Sequence, residues 1–451
     1  MKTPLLLVTL FTGLFASSQI TTPIIKAGFG VDGELRANFY NNFIQSGNDD
    51  WFSNTAGTGT FVIDTTGASW MYNKFVTDPA FRKLPFFRTM RVPQYSIVNN
   101  RLWIDAVYIR DYNGQAGGDS TAFVMSNKNG NSPQTWTGGV TSVLDKNDIG
   151  EMMVHVRRAG PTKNDSLWFF GGISLQGTTG NRYFDFEMYQ TDIFYSRVTG
   201  TFSNYGPDAG HTSWQLDASG NIIAPGDVIF TAEYSSSSLS FIEARIWVHR
   251  NTMLITPAHF DWVGDFDGAT VSSDYGYANI RPKTLGNYYS GLQSVNGAWA
   301  GPYGFVDGGN NLLTTYSARQ YMEFSVNLTK LGLDPITLLG GSACGLPFRR
   351  ILVKTRSATS FEAELKDFIG PFDFFTAQPV QALADVPMFC GVVGVSNLQV
   401  MNPASASVYT WTTPDGQFYG DSIGPSVQVT APGMYIVTQQ LLDGCSNFAH
   451  D

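Results

Sequence analysis

The acids best placed to do chemistry are Asp185 and Glu187, in the run Tyr183-Phe-Asp-Phe-Glu-Met-Tyr189. On a β-strand, residues i and i+2 share a face, so the two carboxylates would project together at about 7 Å. Such a pair suits attack on a glycosidic bond. The plainer reading, solvated or structural carboxylates, carries more weight. Serine chemistry has less support. Gly341-Ser342-Ala343-Cys344-Gly345 misses the G-x-S-x-G spacing by one residue and lacks a strand–turn–helix setting. His211 follows Asp208, but Pro207 and Gly210 mark a turn there, and His155, His249 and His259 are scattered. The sequence holds no H-E-x-x-H, no cysteine cluster of zinc spacing and no phosphate loop.

Hard-cation chemistry has more material. Asp265-Phe-Asp267-Gly268 starts like a calcium loop, although its twelfth position is Gly276 where a bidentate Glu belongs. Asp145-Lys-Asn147-Asp148 and Asn48-Asp49-Asp50 are further oxygen-rich turns. Asp265, Asp267, Asp145 and Asp148 are therefore the metal candidates, with calcium as the ion. Asp and Asn also favour turns for their own sake, which is the competing explanation. For ligand binding the candidates are Trp51, Trp136, Trp214, Trp299 and Tyr303, with Tyr288 and Tyr289 beside them. They sit in Gly-, Ser- and Asn-rich stretches that read as loops, where binding residues concentrate. Flat rings in such places suit the C–H faces of sugars. The alternative is that they cap a large core.

The elements that must position these residues are strands. Charged residues make up 14% of the 451, against a usual value of about 25%, while aromatics reach 14% and glycines number 47. That balance describes a β-rich protein with many turns. The net charge of −9 argues against a nucleic-acid partner, because phosphate binding needs a basic patch. Strand character is clear in 101–110, 166–174, 183–189, 228–234 and 241–249, with Gly171-Gly172 expected at a bulge or bend. Helical spacing is scarce; 145–153, 315–331 and 360–368 are the best candidates. In the second of these, Ala318, Tyr321, Met322 and Val326 recur near helical spacing. The pattern predicts an all-β protein: a large lectin-like jelly roll or β-sandwich over 19–380, then a small Ig-like sandwich over 386–451.

Residues 1–18 read as a signal peptide. Lys2 supplies the positive start, Pro4 to Phe15 an apolar run, and Ala16-Ser17-Ser18 the small-residue cleavage site before Gln19. The run is shorter than the roughly 20 residues that span a bilayer, so a mature protein outside the cytoplasm, without a membrane span, is expected. Export permits disulfides, and Cys390 and Cys445 bracket the last segment and are paired in this reading. Cys344 is then the odd one. In the same segment Trp411 would pack on that bridge, as in Ig-like cores, and Pro414-Asp-Gly416 makes a turn.

The segments YTWTTPDG and APGMYIVT and the DGC near the end resemble the PKD-like or Ig-like modules of large secreted Bacteroidota surface proteins. DDWF (49–52), FVIDTTGA (61–68), GPDAGHTSW (206–214) and GPFDFF (370–375) resemble the N-terminal region of the same proteins. The likeness covers nearly the whole chain. It implies type IX secretion or gliding-associated surface adhesion, with a glycan or a cell-surface protein as partner. The run around Asp185 also resembles the centre of the Glu-x-Asp-x-Glu motif of laminarinase-type glycoside hydrolases. Tyr183, however, stands where that family has its nucleophile. The expectation is therefore a non-catalytic, secreted, adhesin-like protein. The alternatives are a structural subunit of a surface filament or secretion-linked complex and, behind it, a glycoside hydrolase.

Overall fold

The computed structural model describes residues 24–40, 43–44, 47–52, 57–111, 119–236, 238–334, 348–374, 380–386, 394–401, 403–404 and 407–440, and the backbone of Ser446–His450. The leader at 1–18, the stretch 341–345, Cys344 and the Cys390–Cys445 pairing lie outside the described residues.

The protein is all-β. Two large antiparallel sheets face each other across a shared apolar core. The first sheet runs Tyr289–Gln293, Tyr321–Asn327, Leu167–Leu175, Ile149–Arg158, Arg101–Arg110 and Phe86–Thr89, with Ser96–Val98 also on Arg101–Arg110. The second runs Phe260–Asp267, Tyr275–Pro282, Leu239–His249, Val228–Tyr234, Arg182–Tyr189, Arg350–Arg356, Leu365–Asp373, Asp119–Phe123 and Gly138–Thr141. Alternation along the strands fills the space between them. Phe184, Phe186 and Met188 point inward to meet Phe169, Ile173, Phe324 and Val326.

The outer faces are covered too. On the first sheet Trp103, Tyr108, Met153, Phe170 and Tyr321 pack under Phe29, Trp51, Phe52, Phe75, Tyr303 and Tyr316. On the second, Tyr189, Leu352 and Phe368 pack under Trp136, Ile193, Tyr195 and Phe202. As a result all ten residues of Ile149–Arg158 are buried. This explains the expectations that failed. Where both faces of a strand are buried, polar–apolar alternation fades and chance spacing mimics a helix. The 145–153 stretch is a turn entering the Ile149–Arg158 strand, and 360–368 leads into Leu365–Asp373. Within 315–331 the chain forms Thr315–Tyr316 and Tyr321–Asn327, and only Leu328–Leu331 is helical.

Ala68–Thr77, the longer of the two α-helices among the described residues, lays Met71 and Phe75, four apart, on the outer core. No helix among the described residues is long and apolar enough to cross a membrane. Gly171 and Gly172 mark neither a bulge nor a bend. They pair in register with Phe324 and Glu323. A Cβ on Gly171 would lie 2.4 Å from the Phe324 ring, so the missing side chain makes room for packing.

Residues after 380 form their own sheets. Ala382–Ala384, Ser396–Val400, Ser426–Ala431 and Gln417–Phe418 make one, and Val408–Thr412, Ile436–Gln440 and Ser446–His450 the other. Trp411 is buried in their separate core with Tyr409, Val427, Tyr435 and Val437, and its indole N–H donates to the Gly424 carbonyl at 3.0 Å.

Candidate metal centre

Three carboxylates far apart in sequence meet where the two sheets are joined. Asp111 follows the first-sheet strand Arg101–Arg110. Asp119 opens Asp119–Phe123 and Asp367 lies within Leu365–Asp373, both in the second sheet. One oxygen from each lies within 4.8 Å of the others, and all three residues are buried. The Thr121 hydroxyl sits 2.8 Å from Asp119 Oδ1 and 3.2 Å from Asp111 Oδ1. Backbone N–H groups of Phe368 and Ile149 donate to the two Asp367 oxygens at 2.8 and 2.7 Å. Asp119 Oδ2 accepts no N–H or hydroxyl; the Asp367 carboxyl stands beside it.

The electrostatics are unbalanced. Burial, then the charges of Asp119 and Asp111, push Asp367 well above the ordinary carboxylate range. Asp148 is raised to about 7, by burial first and then by Asp119 and Asp145. A shared proton or a divalent cation would each relieve this repulsion. The donor set is all oxygen, which suits a hard cation such as calcium or magnesium and not zinc. Such an ion would tie the edge of one sheet to the other.

The sequence candidates divide. Asp148 joins this neighbourhood and Asp145 stands exposed at its rim. Asp265 and Asp267 do not form a calcium loop, because they lie on the edge strand Phe260–Asp267. There Asp267 is ion-paired with Arg245, and the Asn279 amide reaches Asp265 at 3.4 Å.

The aromatic candidates are core residues for the most part. Trp51 and Tyr303 lie in the outer core of the first sheet, Trp136 in that of the second, and Trp214 in the central core. Each is at most 1% exposed, so none offers a face to a sugar. Trp299 is partly buried on the first outer core, and Tyr288 and Tyr289 on the central one. Tyr289 opens the first-sheet strand Tyr289–Gln293, while the Gly-rich stretches around Trp51, Trp299 and Tyr303 belong to the segments that cover that sheet. Of the ten tryptophans, Trp70 alone is exposed, at 64%. It stands on the helix Ala68–Thr77 with its ring edge-on to Phe81. Helix position, not loop composition, was the signal for it.

Asp185 and Glu187 share the outer face of Arg182–Tyr189 but line no open surface. Both are fully buried. Asp185 pairs with Arg356 at 3.0 Å and accepts from the Asn129 amide at 2.8 Å. Glu187 pairs with Lys354 and accepts from the Tyr277 hydroxyl. Burial pushes the Glu187 carboxyl up, but Lys354 and then His211 more than offset this and hold it below its ordinary value. His211, the histidine of the 206–214 turn, stacks between Tyr189 and Trp247 and lies 3.3 Å from Asp227. Comparison with family models, with curated proteins and with solved structures returns no match.

Proposed function

We propose that the chain is an exported, non-catalytic binding protein of the cell surface. Its large sandwich engages glycan or a surface protein, and its small C-terminal sandwich extends it. The observation that carries this reading is the burial of the acids best suited to catalysis. Asp185 and Glu187 are each closed off beside a cation of the neighbouring strand Arg350–Arg356. A glycosidase needs one carboxyl kept protonated in a cleft beside a second that is ionised. Here each acid is matched by a cation of its own sheet. Trp70 is the ring best placed for stacking on a sugar.

The test is binding of the full chain to a glycan array and to whole cells, with and without calcium, for wild type and Trp70→Ala. Binding lost in the variant supports the reading. Reducing-sugar release from β-glucans, abolished by Glu187→Gln in protein that stays folded, sinks it. A second reading, an assembly subunit that binds protein, is favoured by Val408, Tyr419, Ile423 and Met434, all exposed on the small sandwich. A pull-down from cell envelopes that returns a stoichiometric protein, with no retention on polysaccharide, would select it.

A further inference from the structure

A second buried oxygen cluster lies on the other side of the first sheet, under the N-terminal cover. Residues 28–30 and 48–50 run side by side. The Gly30 N–H donates to the Asp49 carbonyl at 2.9 Å, and the Asp49 N–H to the Gly28 carbonyl at 2.8 Å. Asp32 and Asp50 are each fixed by one oxygen. Asp32 Oδ1 accepts from the Glu34 N–H at 3.2 Å, and Asp50 Oδ1 from the Trp51 N–H at 2.7 Å. The second oxygen of each, Oδ2, is buried without a partner.

Asn48 makes the cluster more than a group of acids. It is fully buried, yet neither its amide nitrogen nor its amide oxygen has a hydrogen-bond partner. A buried, unsatisfied amide is costly and rare. Its two ends are interchangeable by a flip, and no neighbour selects either one.

These unpartnered atoms point at one spot. The place a Cβ would take on Gly30 lies 2.8 Å from the Asn48 amide nitrogen, 2.9 Å from Asp50 Oδ2 and 3.0 Å from Asp32 Oδ2. Gly30 is not among the glycines of positive φ, so space rather than backbone demands it. Around the spot stand two more carboxyls. Glu323 is already held by the N–H groups of Asp32 and Gly33 at 2.8 and 3.0 Å and by the Trp51 indole. Glu34 has Arg36 at 3.9 Å. Burial, and then the charge of Glu323, push Asp32 and Asp50 well above the ordinary range. Arg36 faces Glu34 and Arg157 acts on Asp50 at longer range, but among the described residues neither Asp32 nor Asp50 is in an ion pair.

We propose that Asp32, Asn48 and Asp50 form a calcium site in the cradle beside Gly30, with the Asn48 amide flipped to present its oxygen. The three atoms converge on the side of Gly30 that carries no side chain, and calcium takes oxygen ligands there at roughly 2.3–2.6 Å in a flexible geometry. Magnesium needs ligands at about 2.0–2.1 Å in a strict octahedron, and zinc prefers nitrogen and sulfur. The ion would clip residues 30–32 to 48–50 within the N-terminal cover, which Glu323 already holds to the sheet. This site is separate from Asp111, Asp119 and Asp367, and does not depend on what the protein binds.

The test is calorimetric titration of chelator-stripped full chain with calcium chloride. Variants are Asp50→Asn, Asn48→Ala and Gly30→Ala, each made also in an Asp119→Asn background that disables the other candidate centre. Asp50→Asn keeps the shape and removes a buried charge, so it should stay folded without metal. The expected result is a binding event that survives Asp119→Asn, is weakened at least tenfold in Asp50→Asn and Asn48→Ala, and is absent in Gly30→Ala. In the Asp119→Asn background the calcium-dependent rise in melting temperature shrinks in step. Calcium binding of unchanged number and affinity in Asp50→Asn and Asn48→Ala overturns the proposal. So does no binding by wild type at about 10 mM, above the weakest range of calcium modules.

Discussion

The Asp185 carboxylate lies 3.0 Å from the Arg356 guanidinium, and neither side chain reaches solvent. Among the described residues four more such pairs are buried: Arg110 with Glu151, Arg157 with Asp49, Arg158 with Asp334 and Lys354 with Glu187. A sparsely charged chain has placed many of its charges inside.

Removing one partner of such a pair strands the other. Arg356→Met should therefore destabilise the large sandwich by about 3–5 kcal/mol, because Asp185 is left buried and uncompensated. The double variant with Asp185→Leu should recover much of that loss, since two charges leave together. Denaturant unfolding of both variants checks this. A double variant as unstable as the sum of its parts would refute it.

His155 predicts an acid-side loss of stability. Its Nδ1 lies 2.8 Å from the Asp105 carbonyl, and its Nε2 accepts from the Arg157 guanidinium at 2.8 Å. That arrangement demands the neutral ring. Burial, and then Arg157, hold its pKa well below the ordinary 6.5. Below pH 6.5 the unfolded chain takes up a proton that the folded chain refuses, so stability falls as pH falls. The slope from this group is at most about 1.4 kcal/mol per pH unit. Unfolding free energies at pH 7.5 and 5.5 should differ less in His155→Phe than in wild type. Equal differences would exclude His155 as the source.

How much of this was legible follows from what each residue type signals alone. The alternation Phe184, Asp185, Phe186, Glu187 gave the strand and its inward face. Trp411 within its run of alternating residues gave the second core. What the sequence could not announce is a cover over each sheet's outer face. With outer faces assumed wet, Asp185 and Glu187 read as surface acids, and Trp51 and Trp136 as loop rings. Asp111, Asp119 and Asp367 were invisible for another reason. Their meeting depends on the pairing of Leu365–Asp373 with Asp119–Phe123, a contact between segments more than 200 residues apart. Asn48 and Asp50 stood out as an oxygen-rich turn, but Gly30 and Asp32, which complete the cradle, did not.

The inter-sheet carboxylates should respond oppositely to metal and to its removal. The raised pKa of Asp367 means the folded state holds a proton that the unfolded state has lost, so stability falls as pH rises from the ordinary carboxylate range towards the folded pKa. At pH 8 in chelator, Asp119→Asn should melt higher than wild type by a few degrees, because a like charge is gone. With calcium the order should reverse, because a ligand is gone. Differential scanning calorimetry in both buffers reads this. No reversal would mean that protons, not a cation, neutralise the cluster.

Two tryptophans separate packing from recognition. Trp136 is buried against Phe123 and Phe202, with the Lys354 ammonium 4.5 Å above its ring. Trp136→Ala should cost about 3–5 kcal/mol, the usual toll for a large core side chain, and weaken binding only through lost folded protein. Trp70 touches Phe81 but leaves most of its ring in water, so Trp70→Ala should change stability by less than about 0.5 kcal/mol. If binding to glycan or to cells runs through the aromatic surface, Trp70→Ala should abolish it in fully folded protein. A Trp70→Ala protein that binds as wild type would move the contact surface away from this helix. It would leave the small sandwich, with its exposed Tyr419 and Ile423, as the next place to look.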